Sequence, residues 1–295
     1  MSENAIETKG LTKLFGLTLA VNSLDLVVPK GSVFGFIGVN GAGKTTTVRM
    51  IMGHLHPTFG EVYTLGTDPW SHGEPERRRI AYVSENMDLP PWMNPGEVIE
   101  FNSSFYPGWN RSLAERLLKE FGLHDAGRYR SLSKGQRRTL CLILALCQNA
   151  DLIVLDEPTL GLDVVARHKF LDHVLDLACD GNRTVFISSH LLSDLERVVD
   201  RIAIIRKGHL RLAGELEELK ERIRKIYLPI AVERETLSRY FDLVRYESSE
   251  GTTIFTVLDF DEGRFRALCE AVRCGEGVRV YGFNLENLFA ELEGE

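Results

Sequence analysis

The feature that most constrains the fold is a glycine-rich loop that directly follows a short, continuously apolar segment. Residues 33–37 read VFGFI and contain no polar side chain, which is typical of a strand buried on both faces of a sheet. The next residues fit the phosphate-binding pattern Gly38-x4-Gly43-Lys44-Thr45, known as the P-loop. A strand, this loop and a helix occur in this order in α/β proteins, where helices cover a largely parallel sheet. The sequence therefore predicts an α/β fold with a phosphate site at one edge of the sheet.

The residue types of this loop suit a polyphosphate ligand. Gly41 and Gly43 lack a Cβ atom, so the chain can curl closely around phosphate oxygens and aim its backbone N–H groups inward. Lys44 can reach the β and γ oxygens, while Thr45 opens a helix whose positive end faces the phosphates and offers a hydroxyl ligand for Mg²⁺. The alternative, a glycine turn that only precedes a helix, is disfavoured because the whole pattern follows a buried strand. We therefore predict a nucleotide site at Gly38, Val39, Asn40, Gly41, Ala42, Gly43, Lys44, Thr45 and Thr46.

Two acidic residues end a second apolar segment, LIVLDEP. Asp156 and Glu157 follow residues 152–155. An Asp at the end of a buried strand can hold the Mg²⁺ shell, and the neighbouring Glu can polarise a water in line with the γ-phosphate. The alternative is a pair that caps a helix, although two unpaired carboxylates at such a position are costly through desolvation and repulsion. We predict that Asp156 is a metal ligand and that Glu157 is catalytic.

Length and composition indicate two globular domains in a reducing compartment. The chain has 295 residues, enough for a large and a small domain. Its net charge of −7 gives no general electrostatic reason to bind nucleic acid, so we expect no nucleic-acid partner. The five cysteines form no CxxC pair, and the polar N-terminus lacks the features of a signal peptide. We therefore expect a cytoplasmic protein, and since no apolar run approaches the roughly 18 residues of a membrane span, a membrane role would need a partner.

The order of apolar and helical segments predicts the domain organisation. Short apolar runs occur at 151–158, 184–190 and 201–208, and helical spacing at 163–179, 191–199, 262–273 and 284–293. Residues 86–130 differ, because they are rich in Pro, Trp and Asn at first and then show helical spacing, which indicates an inserted helical lobe at about 86–150. Near Lys225 the pattern changes to short strands and two helices. We predict a first domain over residues 1–224, which includes the lobe, and a small α+β domain over residues 225–295.

Further short motifs narrow the class of protein. Residues 132–136 read LSKGQ, residues 160–163 read LGLD, and His190 ends ISSH. Taken alone, Ser133 predicts only the N-cap of a buried helix. With the P-loop and LIVLDEP, however, this set resembles the ATP-binding cassette of an ABC transporter, in which the signature LSGGQ, the D-loop and the switch histidine stand in these places. The resemblance covers about residues 5–220.

The resemblance implies a fold and a role for each matched residue. It implies a P-loop NTPase cassette with a RecA-like core sheet, an N-terminal antiparallel β part and a helical lobe that carries the signature. In this family two cassettes pair head to tail, and each ATP lies between the P-loop of one and the signature of the other. Without the resemblance we would assign His190 to a structural role and Phe15 to the core. The resemblance implies that Phe15 stacks on adenine and that His190 binds the γ-phosphate and takes part in catalysis. The other implied nucleotide contacts outside the P-loop are Ser133, Gly135, Gln136 and Asp163.

One residue departs from the family pattern. The segment IAYVSE at residues 80–85 resembles the Q-loop, but Glu85 stands where the family has Gln. A carboxylate can ligate Mg²⁺ more strongly than an amide, yet it lacks the NH₂ donor and adds a negative charge beside the triphosphate. The alternative is that Glu85 only faces solvent. We expect Glu85 to be a catalytic and metal-binding residue that permits hydrolysis with altered metal dependence.

The resemblance also implies the function of the chain. It indicates an ATPase, with ATP and Mg²⁺ as cofactors, that powers a membrane transporter by pairing with a second cassette in a homodimer or with a homologous chain. The other partner would be an integral membrane permease subunit, which would place the chain at the cytoplasmic face of the membrane. The ending GFNLENLFAELEG is similar to those of cassettes that serve ABC-2-type export systems. Two alternatives to a transporter subunit remain. One is a soluble ABC ATPase that acts outside transport, although a single cassette fits that class poorly. The other is a regulatory cassette with little hydrolysis.

Overall fold

The computed structural model describes residues 3–179, 181–249 and 251–293. The predicted domain ranges also include residues that lie outside the described ones, namely Met1, Ser2, Asp180, Glu250, Gly294 and Glu295. The described residues form the strands β1 (Asn4–Phe15), β2 (Thr18–Pro29), β3 (Val33–Ile37), β4 (Phe59–Thr64), β5 (Ile80–Val83), β6 (Leu152–Asp156), β7 (Thr184–Ser189), β8 (Arg201–Arg206), β9 (His209–Glu215), β10 (Arg224–Leu228), β11 (Leu243–Ser249), β12 (Thr252–Val257) and β13 (Arg279–Tyr281). They form the helices α1 (Lys44–Ile51), α2 (Glu74–Arg78), α3 (Pro95–Ser103), α4 (Arg111–Glu120), α5 (Lys134–Cys147), α6 (Val164–Ala178), α7 (Leu192–Leu195), α8 (Leu216–Arg222), α9 (Arg234–Leu237), α10 (Glu262–Val272) and α11 (Leu285–Glu293), with short 3₁₀ helices at Pro69–Ser71 and Tyr129–Ser131.

A six-stranded sheet in the order β5-β6-β7-β3-β8-β9 forms the centre of the first part of the chain. Parallel pairs join β5 to β6, β6 to β7, β7 to β3 and β3 to β8. Every residue of β3 and β6 is buried, as their apolar sequences predicted. The carboxyl ends of parallel strands lie at one edge of a sheet, so the segments after β3, β6 and β7 meet there. The predicted α/β fold with a parallel core sheet is confirmed.

An antiparallel sheet in the order β2-β1-β4 supplies the predicted N-terminal β part. The alternating apolar residues Leu24, Leu26 and Val28 of β2 are buried. They belong to one hydrophobic cluster with Phe34 and Phe36 of β3, so this sheet and the central sheet share a core. The shared core fixes β2 beside the loop that follows β3.

The helical lobe lies between β5 and β6 and consists of α3, α4 and α5. Helix α5 begins with Ser133 as its N-cap, and residues 138–147 are all buried. The backbone N–H of Tyr129 donates to the carbonyl of Met93 at 2.7 Å, which joins the start of α5 to the segment before α3. The helix cap predicted from Ser133 is confirmed. The buried residues of α5 pack this helix into the interior of the protein.

Helix α7 is shorter than the helical spacing at 191–199 suggested. It ends at Leu195, although Val198 and Val199 remain buried after it. The Asp200 carboxylate accepts a hydrogen bond from the Val33 N–H at 2.9 Å, which brings the chain back to the sheet before β8. The apolar spacing at 191–199 therefore extends beyond the helix because Val198 and Val199 are buried, although they are not helical.

The chain divides into two compact units between Leu212 and Ala213, earlier than the boundary predicted between residues 224 and 225. The second unit contains an antiparallel sheet in the order β11-β12-β10-β13, with a core that includes Phe255 of β12. Helix α8 belongs to this unit because Phe260 N–H donates to the Arg222 carbonyl at 2.8 Å and Arg222 pairs with Asp259 at 3.4 Å. In the part of the chain that the structure describes, no helix is both long and apolar enough to cross a membrane.

Candidate nucleotide-binding site

The loop after β3 leaves no room for side chains at two of its glycines. A Cβ on Gly38 would lie 2.5 Å from the Ile205 carbonyl oxygen, and one on Gly43 would lie 2.5 Å from the Ala20 carbonyl oxygen. Gly43 also has a φ of 109°, in the region that favours glycine. The loop can therefore take this path between β2 and β8 only with glycine at these positions.

The turn between β8 and β9 supports the loop from behind. The N–H of Gly208 donates to the carbonyl of Ala42 at 2.9 Å, and the Gly208 carbonyl accepts from the Asn22 N–H at 2.9 Å. A Cβ on Gly208 would lie 2.9 Å from the same Ala20 oxygen that Gly43 approaches. Strand β2, the P-loop and this turn are thus held together through main-chain groups.

Three predicted residues from three different strand ends are in direct contact. The ammonium of Lys44 lies 3.0 Å from Oε1 of Glu157, and His190 Nδ1 lies 2.8 Å from Oε2 of the same carboxylate. Lys44 also donates to the Gly38 carbonyl at 2.7 Å. The side chains of Lys44 and Glu157 are 5% and 7% exposed, so this pair interacts with little solvent screening. A cavity of about 400 Å³ is lined by these residues, by Glu85 and by the P-loop.

Glu157 has an unusual backbone that aims its side chain into the cavity. Its φ is 49°, in the left-handed region that non-glycine residues seldom adopt. Its N–H donates to the carbonyl of Ser188 at 3.1 Å and lies 3.2 Å from the Ser188 hydroxyl, so β7 holds the strained turn in place. Strain that the surroundings maintain in this way is characteristic of functional sites.

The oxygen ligands expected for Mg²⁺ lie together on one side of the site. The Ser188 hydroxyl donates to Oδ1 of Asp156, while Oδ2 is buried and has no hydrogen-bond partner among the residues that the structure describes. Thr45, Glu85 and Asp156 line one cavity of about 440 Å³. Hydroxyl and carboxylate oxygens are the ligands that Mg²⁺ prefers, and Mg²⁺ usually takes the rest of its shell from water and substrate phosphates. The donor set present fits this metal.

Four predicted nucleotide contacts lie away from the P-loop cavity and begin helices. Ser133 and Gln136 form a capping box at the start of α5: Ser133 N–H donates to the Gln136 side chain at 2.9 Å, and Gln136 N–H donates to the Ser133 hydroxyl at 3.2 Å. Gly135 lies against the Gly161 carbonyl, and Asp163 caps α6 by accepting from Ala166 N–H at 2.9 Å. All four residues are exposed or partly exposed. Within one chain they do not line the cavity of Lys44 and Glu157.

Phe15 also lies outside this cavity, at the turn from β1 to β2. Phe15 is 50% exposed, and the ammonium of Lys13 lies 5.3 Å from the centroid of its ring. A half-exposed ring with a cation over it does not belong to the hydrophobic core, which was the alternative interpretation of this residue.

Sequence reasoning missed two polar residues that contact the site from behind. Ser188 was visible only as part of the apolar run that ends in His190, and Arg138 only as the second arginine after LSKGQ. Both are buried, and both contact the backbone or side chains at the end of β6. A buried serine or arginine is informative in a sequence only when its burial is known, so no local signal could have identified them.

The sheet, the P-loop and the paired acidic residues define a P-loop nucleoside triphosphate-binding protein. A profile of the ABC transporter family matches residues 21–160. The bacitracin transport ATP-binding protein BcrA of Bacillus licheniformis is 32% identical over 82% of this chain and 81% of that protein. The daunorubicin/doxorubicin resistance ATP-binding protein DrrA of Streptomyces peucetius is 32% identical over 98% of this chain and 92% of that protein. The Nod factor export ATP-binding protein I of Burkholderia lata is 32% identical over 98% of this chain and 97% of that protein.

Solved structures agree with these relatives. The structure of an ATP-binding subunit of an ABC transporter superposes with a TM-score of 0.66 and 28% identity, covering 74% of this chain and 92% of that chain. The dimeric structure of MJ0796, a bacterial ABC transporter cassette, gives a TM-score of 0.63 and 25% identity, covering 72% of this chain and 98% of that chain. The chain therefore belongs to the ABC transporter family, as one of its ATP-binding subunits. The predicted family, fold and ATPase class are confirmed.

Proposed function

We propose that this chain binds and hydrolyses ATP as the energy-coupling subunit of a membrane exporter. The observation that carries the proposal is the direct contact of Lys44, Glu157 and His190 at the P-loop. Two of the relatives are named for the transport of bacitracin and for Nod factor export, which supports transport out of the cell. The contact also favours hydrolysis over a purely regulatory cassette, because a buried carboxylate beside a histidine is suited to activating water.

The residues of the site would divide the reaction between binding and water activation. The backbone N–H groups of residues 38–46 and the start of α1 would surround the phosphates, and Lys44 would bind the β and γ oxygens. Once Lys44 has phosphate partners, Glu157 keeps the hydrogen bond to His190 and can accept a proton from the attacking water. His190 would at the same time orient Glu157 and contact the γ-phosphate. Phe15 would stack on the adenine ring.

We propose Mg²⁺ as the metal cofactor, held by the free Oδ2 of Asp156, the Thr45 hydroxyl and Glu85. When bound, Mg²⁺ would neutralise charge that develops on the phosphate oxygens. Ser188 supports this role because its hydroxyl occupies Oδ1 of Asp156 and leaves Oδ2 for the metal.

A second cassette is proposed to complete the site, in a homodimer or with a homologous chain. The exposed signature residues Ser133, Gly135 and Gln136 would contact ATP bound to the partner, and Asp163 would lie at the interface. Val164 and Val165, directly after Asp163, are 61% and 65% exposed, and apolar residues in such a position favour burial against another protein. The dimeric structure of the similar cassette MJ0796 supports this arrangement.

The helical lobe offers the surface proposed to contact an integral membrane permease subunit. Trp92, Phe101 and Phe105 are 64%, 49% and 50% exposed, and the rings of Phe101 and Phe105 pack edge to face with centroids 5.1 Å apart. Contact with a permease through this surface would place the chain at the cytoplasmic face of the membrane. The net charge of −7 supports the absence of a nucleic-acid partner.

A phosphate-release assay on the purified chain tests the proposed hydrolysis. We expect saturable release of phosphate from ATP that needs Mg²⁺ and stops when EDTA removes the metal. Binding of ATP without any release of phosphate, measured at concentrations that permit dimerisation, would contradict the proposal and favour the regulatory cassette.

Replacing Glu85 by Gln tests the departure in the Q-loop. We expect Glu85→Gln to retain hydrolysis but to need several times more Mg²⁺ for half of the maximal rate, because a neutral amide ligates the metal less strongly than a carboxylate. The measurement is a Mg²⁺ titration of the hydrolysis rate. The control is Glu100→Gln, which removes an exposed carboxylate on α3, outside the site. This variant should leave the titration unchanged. Equal Mg²⁺ dependence in Glu85→Gln and the unmodified chain would mean that Glu85 only faces solvent.

A further inference from the structure

Arg138 on α5 is a buried arginine, and its hydrogen bonds within the described residues all run to main-chain carbonyl oxygens. The residue is 7% exposed. Its Nη2 donates to the carbonyls of Asp156 at 2.6 Å and Glu157 at 2.9 Å, and its Nε donates to Pro158 at 3.2 Å. One guanidinium thus binds three successive residues at the end of β6, including both acidic residues of the site.

The same guanidinium also reaches the end of the neighbouring strand. Nη1 of Arg138 donates to the Ser84 carbonyl at 2.5 Å and to the Glu85 carbonyl at 3.4 Å. Strands β5 and β6 are parallel neighbours, so the carbonyls at or just after their ends lie within reach of one planar group. Arg138 therefore contacts the backbone of Glu85, Asp156 and Glu157, the three carboxylate residues that line the proposed nucleotide and metal cavities.

We infer that Arg138 is a positioning residue that links the signature helix to the backbone of Glu85, Asp156 and Glu157. The helix belongs to the lobe, whereas the carbonyls belong to strand ends of the central sheet. A shift of α5 relative to the sheet must stretch or break these five bonds, which range from 2.5 to 3.4 Å and are little screened because Arg138 is buried. The position of the signature and the position of the catalytic carboxylate are thereby coupled within one chain. The inference rests on the proposed ATP hydrolysis.

An arginine suits this task better than a lysine. The guanidinium presents five N–H donors in a fixed plane, which matches two rows of carbonyls, whereas an ammonium has three donors and no plane. Burial lowers the pKa of Arg138, and the nearby charges of Asp156, Glu85 and Glu157 act in the opposite direction. The three carboxylates thus help to keep the buried cation charged.

The experiment compares Arg138→Lys with Arg137→Lys in the full chain. Arg137 is the matched control because it is adjacent on α5 but, among the described residues, donates to the carbonyls of Leu132 and Arg130 and lies over the Tyr129 ring, all inside the lobe. We expect Arg138→Lys to lower kcat at least about tenfold while KM for ATP changes less than about threefold, since positioning of the carboxylates matters after ATP has bound. Arg137→Lys should keep both constants within about twofold.

A second measurement separates positioning from a loss of stability. We expect backbone amide exchange at residues 84–86 and 156–158 to become faster in Arg138→Lys and to remain unchanged in Arg137→Lys, with thermal unfolding of both variants monitored in parallel. Should Arg138→Lys not fold, Arg138→Gln replaces it under the same criteria. Wild-type kcat and unchanged exchange in the Arg138 variant would overturn the inference, as would an equal loss in both variants. Absence of phosphate release by the unmodified chain would instead overturn the proposed function, and the exchange measurement would still decide the inference.

Discussion

Replacing Glu157 by Gln is expected to lower ATP hydrolysis by at least about 100-fold, the usual contribution of a positioned general base. The amide keeps the shape of the side chain and can still contact His190, but it cannot accept a proton from water. Because Lys44 and the P-loop are unchanged, ATP should bind with similar affinity, and the ATP-bound dimer should persist. Phosphate release, calorimetric ATP binding and size-exclusion chromatography with ATP measure the three effects.

The control for this variant lies at the other end of the same strand. Asp151 directly precedes β6 and forms an exposed pair with Arg79 at 2.7 Å, a contact of small energetic value. Asp151→Asn should hydrolyse ATP at the normal rate. A Glu157→Gln variant that retained most of its rate would show that another group activates the water.

Replacing Lys44 by Met is expected to weaken ATP binding by at least about 100-fold, because it removes charge-assisted hydrogen bonds to phosphate that contribute about 1.5–3 kcal/mol each. The variant should also unfold more easily. Its methionine leaves the Glu157 carboxylate without its cation, and the loss of one partner from a buried pair costs about 3–5 kcal/mol. Isothermal titration with ATP and urea unfolding measure these two effects independently.

The double variant Lys44→Met with Glu157→Gln separates binding from stability. Removing both charges should restore most of the free energy of unfolding, because no buried charge is left unpaired. ATP binding should remain weak, since the ammonium is still missing. Recovery of ATP binding in the double variant would mean that Lys44 acts only by neutralising Glu157.

Local sequence patterns were sufficient for those parts of the site that depend on neighbouring residues. The P-loop follows its strand directly, and Asp156 and Glu157 end theirs, so strand, loop and helix could be predicted together. Ser133 was predictable as a helix cap for the same reason, because its partner Gln136 is three residues away. The convergence of these segments at one sheet edge followed from parallel topology alone.

Contacts between distant segments could not be predicted in this way. The left-handed backbone of Glu157 depends on Ser188, and the boundary before Ala213 depends on the contact of Arg222 with residues 259 and 260. Arg138 belongs to a helix but binds carbonyls of two strands. In each case the decisive partner is remote in the chain, and only the folded structure brings it close.

The Ala20 carbonyl, which both Gly43 and Gly208 approach closely, has a consequence for the transferability of the nucleotide site. Residues 38–46 contain the whole recognisable motif, yet their path is set by β2 on one side and by the turn before β9 on the other. Transplanting the motif into another α/β protein would move the phosphate-binding sequence without the walls that shape it. The unit that could be transplanted is the loop together with β2 and the turn at Gly208, a residue that lies far outside the P-loop motif.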